Sequence, residues 1–420
     1  MSGKLQSVKG MNDLLPEASP YWQFVEQALR EIAQAYAYSE IRTPILEKTA
    51  LFTQSIGEQT DIVEKEMFAF EDTGGEALCM RPENTASIVR SGVQHGLFHN
   101  TQTRLWYMGP MFRRERPQKG RYRQFSQFGM EALGWAGPEA DAEVIFAGAR
   151  IWQKLGVQDV KLYINTLGSD DCRARYRTAL VDYLSQHISA LDADSVRRLE
   201  SNPLRILDSK APQTREILKN APVITDYLDD DTRAHFEQLC QLLKDANISY
   251  TIDSSLVRGL DYYTSTVFEW KTEKLGAQNT VCAGGRYDDL VERRGGRSTP
   301  ACGFAMGMER LVELLIEEGN DLNVNTVDAY LITMDNAANS SAMTLAENLR
   351  DVGITVTMNH GMGKLKSQLK KADLSGAPLA LIMGEDELAR GVVQIKVLRE
   401  HTQTEEVALD SAAEHIKTIL

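Results

Sequence analysis

Cysteine is scarce in this chain, and its placement excludes two common kinds of site. Five cysteines occur among 420 residues, at Cys79, Cys172, Cys240, Cys282 and Cys302. Their number is odd and none forms a C-x-x-C pair, so neither a disulfide framework nor a cysteine-ligated zinc site is indicated. A reducing compartment, the cytoplasm, is the expected location.

Long apolar runs are also missing. No segment approaches the ~20 apolar residues that a membrane helix needs. The first twenty residues lack the apolar run of a signal peptide, so we expect neither export nor membrane insertion. The chain is acidic, with a net charge of −13. This balance argues against a protein covered all over by nucleic acid, but it permits phosphate binding at local basic sites.

Several motifs for nucleotides and metals are absent. The sequence contains no G-x-x-x-x-G-K-[ST] loop, no G-x-G-x-x-G after a strand, and no H-E-x-x-H. His95 and His99 have the spacing of two ligands on one helix face. Two ligands are too few for a zinc site, so we expect ordinary, partly buried histidines and no bound metal.

Hydrophobic periodicity divides the chain into regions of different texture. Residues 67–146 alternate with a period near 2, which predicts an antiparallel sheet. Residues from about 168 to 250 are charged and helical, as in an insertion. Beyond about 325, short apolar strands alternate with helical stretches, which is typical of a small α/β domain. We therefore predict an α+β domain over 1–325 with a helical insertion, followed by an α/β domain over 326–420.

The most basic stretch of the chain separates two apolar, alternating runs. Its charged residues are Arg113, Arg114, Glu115, Arg116, Lys119, Arg121 and Arg123. The layout predicts a strand, a basic loop and a second strand, with Gln127 and Glu131 on one face of the second strand. Arginine suits bidentate phosphate contact, so the hairpin is interpreted as an anion site. A merely solvated basic loop is the alternative.

Polar groups elsewhere in the chain are spaced as if they face a ligand. In "MRPENTAS", Glu83 and Thr85 are one strand step apart, which would put both on one face. In "VRGLDYY", Tyr262 and Tyr263 would point to opposite sides of a strand, one to the core and one to a ligand. Arg310 falls in the first turn of a predicted helix, where a cation opposes the helix dipole unless an anion binds. Glu309 beside it is the alternative means of neutralisation.

Together these stretches resemble the class II aminoacyl-tRNA synthetases, and within them the histidyl-tRNA synthetase family. The three class II motifs are matched by "SEIRTPILEKTALF", "FRRERPQKGRYRQFSQFGME" and "GFAMGMERL". The stretches "VRGLDYYTSTVFEW" and "CAGGRYD" resemble the two histidine-specific motifs of the family. The likeness runs from "KGMNDLLP" near the start to the final α/β domain.

The resemblance implies a function. L-Histidine would be activated with ATP on a six-stranded antiparallel sheet, giving histidyl-adenylate and pyrophosphate. Histidine would then pass to the 3′ end of tRNA(His). Mg²⁺ is expected to be bound with ATP, and no zinc is expected. A homodimer formed through the region of Pro44 is implied, as is an anticodon-binding role for residues 326–420, where lysines surround Leu365.

The family also implies roles for individual residues. Arg258 and Arg113 would act in catalysis. ATP would be held by Arg113, Glu115, Arg121 and Arg310. Histidine would contact Glu83, Thr85, Arg113, Gln127, Glu131, Arg258, Tyr262, Tyr263 and Tyr287. The tRNA would contact Arg116, Gln118, Lys119 and Arg123. In the C-terminal domain, Lys364, Lys366, Lys370 and Lys371 could contact RNA or simply form a solvated face.

Three positions depart from the family pattern, and two other functions remain open. Asn84 and Asp289 stand where glycine is usual, and Ser126 where histidine is usual. Asn84 is expected on the strand face opposite Glu83. One alternative is a class II synthetase for another amino acid. The other is the regulatory paralogue of histidine biosynthesis, which binds histidine without charging tRNA.

Overall fold

The computed structural model describes residues 4–58, 60–276, 279–319, 327–360, 363–398 and 404–420. The chain forms two compact units, Met1–Asp321 and Leu322–Leu420. The boundary predicted at 325/326 lies outside the described residues. Each unit has its own hydrophobic core.

The first unit contains a large sheet and a separate small sheet. Its strands are β1 Ser39–Glu40, β2 Leu46–Lys48, β3 Phe68–Glu71, β4 Ala77–Met80, β5 Thr103–Phe112, β6 Gln124–Leu133, β7 Lys161–Thr166, β8 Tyr250–Ile252, β9 Thr266–Lys271, β10 Thr280–Arg286 and β11 Ala301–Gly307. Its helices are α1 Ser19–Ala35, α2 Thr49–Ile56, α3 Thr85–His95, α4 Pro138–Leu155, α5 Asp170–Ser185, α6 Ala193–Ser201, α7 Pro212–Leu218, α8 Asp230–Asp245, α9 Leu290–Arg293 and α10 Met308–Glu317. A π-helical turn spans Ile62–Glu66.

The strand order of the large sheet is β1-β5-β6-β11-β10-β9-β7-β8. The strands from β5 to β7 in this order pair antiparallel, whereas β1 and β8 pair parallel at the two edges. One face of the sheet is covered by α1, α4, α8 and α10, against which Phe128 and Met130 of β6 pack. Because side chains alternate along a strand, Gln127 and Glu131 belong to the opposite face. The predicted antiparallel sheet is therefore confirmed.

The segment around Pro44 is divided between two sheets. The chain forms β1 at the edge of the large sheet and then, beyond Pro44, β2 at the edge of a three-stranded sheet ordered β2-β4-β3. Proline has no N–H for a ladder, so the strand is interrupted at this point.

Between β7 and β8 the chain is helical. Helices α5 to α8 and short 3₁₀ turns follow one another, and a separate core forms around Tyr176, Leu180 and Leu184. Charged residues on the outer faces of these helices account for the polar texture of the segment. This segment therefore packs as a helical body with its own apolar centre.

The second unit has the α/β pattern expected from its sequence. Its strands are β12 Ala329–Thr333, β13 Val356–Met358, β14 Leu379–Met383, β15 Val392–Val397 and β16 Glu405–Ala408, and its helices are α11 Asn336–Asp351, α12 Leu365–Leu374, α13 Glu385–Arg390 and α14 Ala412–Ile419. The sheet order is β13-β12-β14-β15-β16. The first three strands are parallel, and β15 and β16 are antiparallel additions.

A buried ion pair ties α4 to β10. Arg286 is 1% exposed and Asp141 0%. The Arg286 guanidinium donates to both Asp141 oxygens and to the carbonyls of Trp135 and Gly137. His235 Nε2 also lies 2.8 Å from Asp141, but removing the guanidinium would take away the main counter-charge of this buried carboxylate, and breaking such a pair costs about 3–5 kcal/mol.

We therefore expect Arg286→Met to lower the free energy of unfolding of the first unit by about 3–5 kcal/mol. Urea unfolding followed by tryptophan fluorescence measures this unit selectively, because all five tryptophans lie in it. Arg30→Met is the control, since the Arg30–Glu26 pair is solvent-exposed and should contribute about 0–1 kcal/mol. Equal losses in the two variants would contradict the expectation.

Candidate active site

A cavity of about 320 Å³ opens on the sheet face opposite the helical core. All twelve residues assigned above to ATP or histidine line it: Glu83, Thr85, Arg113, Glu115, Arg121, Gln127, Glu131, Arg258, Tyr262, Tyr263, Tyr287 and Arg310. They come from β6, the loop before it, the start of α3, the loop before β9, the residue after β10 and the first turn of α10. The fold thus brings together residues that are up to 227 positions apart in the chain, from Glu83 to Arg310.

Glu131 is the most deeply buried acid of the cavity. Its side chain is 1% exposed. Thr85 Oγ1 donates to Glu131 Oε1 at 2.7 Å, and the hydroxyl of Tyr287 donates to Oε2. Burial raises the pKa of Glu131 to about 8; the two hydrogen bonds oppose this shift and the nearby Glu83 adds to it. The site therefore holds a buried carboxyl group that is only partly ionised near neutral pH.

Glu83 and Thr85 line the same cavity, but not from a strand. Thr85 is the first residue of α3, and Glu83 Oε2 and Oε1 accept the N–H groups of Thr85 and Ala86 at 2.7 and 3.0 Å. The prediction of a strand here is wrong, because a carboxylate that accepts the free N–H groups of a helix start favours the helix. Burial nevertheless raises the pKa of Glu83.

The predicted position of Asn84, on the strand face opposite Glu83, is also wrong, because no strand forms here. Asn84 occupies the N-cap position of α3 rather than an opposite strand face. Its Oδ1 accepts from the hydroxyl of Thr43 at 2.6 Å and from the Arg81 guanidinium at 3.1 Å. This residue therefore ties the start of α3 to the segment before β2, beside the cavity lining.

Tyr262 and Tyr263 also differ from the expected arrangement. They precede β9 instead of lying in it, and both line the cavity. Their ring centroids are 4.7 Å apart, and the Tyr262 ring lies 5.6 Å from that of Tyr287. Strand alternation does not apply in a loop, and both rings belong to the same buried apolar cluster. The three rings form one aromatic wall beside Glu131.

A second cluster in the cavity is cationic. The Nε of Arg113 donates to the carbonyl of Pro82 at 2.8 Å, and its guanidinium lies 5.3 Å from the Phe125 ring centroid. Arg121 forms an ion pair with Glu115. Burial and the charge of Arg121 lower the pKa of Arg310 to about 10. An anion bound between these guanidiniums would relieve that repulsion.

Arg310 lies in the first turn of α10, as predicted. Its neighbour Glu309 accepts from the backbone N–H of Ser126 at 2.8 Å, and burial raises the pKa of Glu309 to about 7. Glu309 is therefore only partly ionised near neutral pH. It is a weaker neutralising group for this helix end than the sequence suggested.

Arg258 has a partner that sequence reasoning missed. Its guanidinium forms an ion pair with Glu269 of β9 and lies 5.3 Å from the ring centroid of Tyr263. Glu269 and Lys271 share one face of β9 by alternation, a signal that could have indicated a charged pair on the cavity side of the sheet. Nothing in the sequence ties that face to Arg258, which lies eleven residues earlier in a loop.

Comparison with known proteins identifies the family. Residues 10–311 match the family model for histidyl-tRNA synthetase, which is well over half of the chain. The chain belongs to the histidyl-tRNA synthetase family. Residues 328–419 match the model for an anticodon binding domain. The apo histidyl-tRNA synthetase of S. aureus is 37% identical, with a TM-score of 0.83 over 98% of this chain and 100% of that one. The predicted resemblance and class II fold are thereby confirmed.

Two more distant structures share the fold of the histidyl-tRNA synthetase family. The histidyl-tRNA synthetase of a Nostoc species is 21% identical, with a TM-score of 0.71 over 99% of this chain and 100% of that one. A Bacillus halodurans protein described as an ATP phosphoribosyltransferase regulatory subunit/histidyl-tRNA synthetase is 24% identical, with a TM-score of 0.68 over 91% and 99%. The fold alone therefore does not separate synthetase from regulatory subunit.

The residues that the family resemblance assigned to tRNA lie outside the cavity. Arg116, Gln118 and Lys119 are exposed on the β5–β6 loop. Lys119 pairs with Glu313 at 3.2 Å and with Glu317. The half-buried Arg123 donates from Nε to the carbonyl of Glu115 at 3.3 Å. In the second unit, Lys364, Lys366, Lys370 and Lys371 are exposed at or near α12.

The histidine pair considered as metal ligands is arranged differently from the prediction. His95 is the last residue of α3 and His99 lies beyond it, and both are exposed rather than partly buried. The left-handed Gly96 ends the helix between them, so they do not share its face. Among the residues described, no group of three or more His, Cys, Asp or Glu side chains could hold a metal ion.

In the described part of the chain, no helix has the length and apolarity to cross a membrane.

Proposed function

We propose that this chain is a histidine–tRNA ligase, which activates L-histidine with ATP and transfers it to the 3′ end of tRNA(His). One observation carries the proposal. A single cavity holds a buried acceptor among tyrosines, Glu131, together with a cluster of arginines that suits phosphates, Arg113, Arg121 and Arg310. Arg258 lines the same cavity.

The amino-acid end would be recognised by polar groups that require partners. Glu131 can accept an imidazole N–H, and a tyrosine hydroxyl can serve the other ring nitrogen. Glu83, Thr85 and Gln127 would take the α-ammonium group. Gln127 Oε1 is buried and has no hydrogen-bond partner among the described residues, so it is available to such a donor. A site of this kind rejects amino acids that leave its buried polar groups unpaired.

The chemical step would join two anions. Attack of the histidine carboxylate on the α-phosphate places like charges together, and fixed guanidiniums offset that repulsion in the transition state. Arg113 and Arg258 would contact the reacting groups, and Arg121 and Arg310 the terminal phosphates. Arg121 would exchange its contact with Glu115 for phosphate oxygens, leaving Glu115 for the adenine.

Mg²⁺ would enter with the phosphates of ATP, where it neutralises charge. Such an ion keeps several waters and needs only one or two carboxylates from the protein. The buried Glu309 Oε2 in the cavity lining has no hydrogen-bond partner among the described residues. Glu309 is therefore the carboxylate beside the arginine cluster that could serve the ion or its waters.

The remaining assignments extend this proposal. Residues 1–325 would form the catalytic domain and 326–420 the anticodon-binding domain. A homodimer would form through the Pro44 region, where Ile45, Leu46 and Phe70 are 41%, 47% and 45% exposed. Apolar side chains of this size on sheet edges suit a protein interface. All five cysteines are unpaired thiols, which suits the cytoplasm.

ATP–pyrophosphate exchange with a panel of amino acids tests the function. We expect exchange with histidine and none with proline or threonine, followed by charging of tRNA(His). Exchange with another amino acid alone would refute the histidine assignment. Histidine binding without adenylate formation would instead favour a regulatory subunit, a second candidate motivated by the description of the Bacillus halodurans relative.

A further inference from the structure

Arg258 lies in the loop between β8 and β9, so its position depends on side-chain contacts. Its guanidinium has the Tyr263 ring on one side, with the centroid 5.3 Å away, and the Glu269 carboxylate as an ionic partner. The side chains of Arg258 and Glu269 are 14% and 13% exposed, so the pair is largely shielded from water. Such a pair constrains an otherwise flexible side chain far more than an exposed one does.

The Glu269 carboxylate has further partners besides Arg258. Its Oε1 faces Arg258, while Oε2 accepts from Thr280 Oγ1 at 3.0 Å and pairs with Lys271 Nζ at 3.3 Å. Lys271 in turn lies 3.6 Å from Asp253. Glu269 sits on β9 opposite Tyr163 of β7 and Ala283 of β10, inside the sheet. The carboxylate is therefore fixed on a rigid element by groups other than Arg258.

Glu269 does not belong to the cavity lining formed by the described residues, whereas Arg258 does. Burial alone would lower the pKa of Arg258, but the Glu269 charge and the adjacent tyrosines outweigh it and raise that pKa. The carboxylate thus favours the charged guanidinium and orients it from outside the cavity lining.

We infer that Glu269 is a positioning residue that acts through Arg258, fixing the guanidinium toward the α-phosphate and the substrate carboxylate. This inference rests on the proposed function. A guanidinium held in one orientation contributes to the transition state in full, and small misplacements of such groups cost up to about 100-fold in rate. Ground-state binding depends less on Arg258, because several other groups would hold histidine and ATP.

The test compares steady-state ATP–pyrophosphate exchange in four forms of the full-length chain. In Glu269→Gln we expect kcat to fall by about 10- to 100-fold while KM for histidine and for ATP each change less than about threefold. Lys271→Met removes one partner of Glu269 and should lower kcat by a smaller factor, in the same sense. Glu143→Gln is the matched control, since Glu143 forms a bidentate pair with Arg104 away from the cavity lining.

The possible results separate this inference from the function on which it rests. A wild-type chain with no histidine-dependent exchange would refute the proposed function and the role of Glu269 with it. An active wild type with unchanged kcat in a folded Glu269→Gln variant would refute Glu269 alone. Equal losses of kcat in Glu269→Gln and Glu143→Gln would show that the Arg258–Glu269 pair has only a structural role. If Glu269→Gln does not fold, Lys271→Met decides by the same criterion.

Discussion

Replacing Arg258 with alanine should reduce histidine-dependent ATP–pyrophosphate exchange on the order of a thousandfold, because a fixed charge at the reacting groups is lost. The substituted chain should still fold. Glu269, the ionic partner of Arg258, keeps its contacts with Thr280 and Lys271 in the absence of the guanidinium. The remaining carboxylate is therefore not left without compensation, which limits the cost of the substitution.

Two further variants make the Arg258 result specific. Arg258→Lys keeps the charge but loses the planar fork, so its rate should lie between those of wild type and Arg258→Ala. Arg104→Ala removes an arginine of the same unit that pairs with Glu143 and lies 4.3 Å from the Trp135 ring centroid. It should keep near-normal exchange. An Arg258→Ala enzyme within about tenfold of wild type would contradict the assigned role.

The β5–β6 hairpin could be predicted from sequence because its information is local. Alternating apolar residues, a polar loop with proline and glycine, and a second alternating run specify two strands and the face on which Gln127 and Glu131 lie. The observed register pairs Gly109 with Gln127 and Leu105 with Glu131. The turn from β11 into α10 at Gly307 is local in the same sense, and it places Arg310 where the sequence indicated.

The errors have two causes, a local capping contact that was overlooked and contacts between residues distant in the chain. Glu83 and Thr85 have strand-like spacing, but two backbone N–H groups bound by the Glu83 carboxylate begin a helix instead. The sequence predicted that Tyr262 and Tyr263 point to opposite sides of a strand, but the chain at these residues is a loop that precedes β9. Glu269 was overlooked because its role depends on a contact across that loop. The tyrosines and Glu269 require knowledge of which distant residues meet, which one sequence without the fold does not supply.

The family resemblance supplied a different kind of information. The twelve residues to which it gave an ATP or histidine role all line the cavity, including Tyr287, which no local pattern singled out. It could not indicate how these residues are arranged before substrate binds. Arg121 is paired with Glu115, and Lys119 with Glu313 and Glu317, so these two cations of the loop have acidic partners in this structure.

Replacing Glu131 with glutamine should raise KM for histidine by about 10- to 100-fold, because leaving a buried polar group without its partner costs about 1–3 kcal/mol. An amide also carries two donors, and it would face the hydroxyls of Thr85 and Tyr287, which now donate to Glu131. At least one of these hydroxyls would have to reorient. KM for ATP should change by less than about threefold, because the arginine cluster is untouched.

The same substitution should change how stability depends on pH. Burial raises the pKa of Glu131 from 4.5 to about 8, so between these values the folded chain binds more protons here than the unfolded chain. Stability from this group is therefore present at low pH and is lost as pH rises toward 8. Glutamine does not titrate, so Glu131→Gln should gain stability relative to wild type as pH increases over this interval.

Exchange kinetics, with the concentration of each substrate varied in turn, measure the effect on KM. Thermal unfolding of the ligand-free chain at pH 5 and pH 9 measures the effect on stability. Ionisation of the buried Glu131 carboxyl should lower the stability of the wild-type chain. The variant should therefore bind histidine less well than wild type, but unfold at a higher temperature at pH 9. At pH 5 the two melting temperatures should differ less, since Glu131 is then protonated. Equal losses for histidine and ATP would show that Glu131 supports the whole cavity rather than the imidazole, and an unchanged pH dependence would show that its carboxylate is not the buried group inferred from its surroundings.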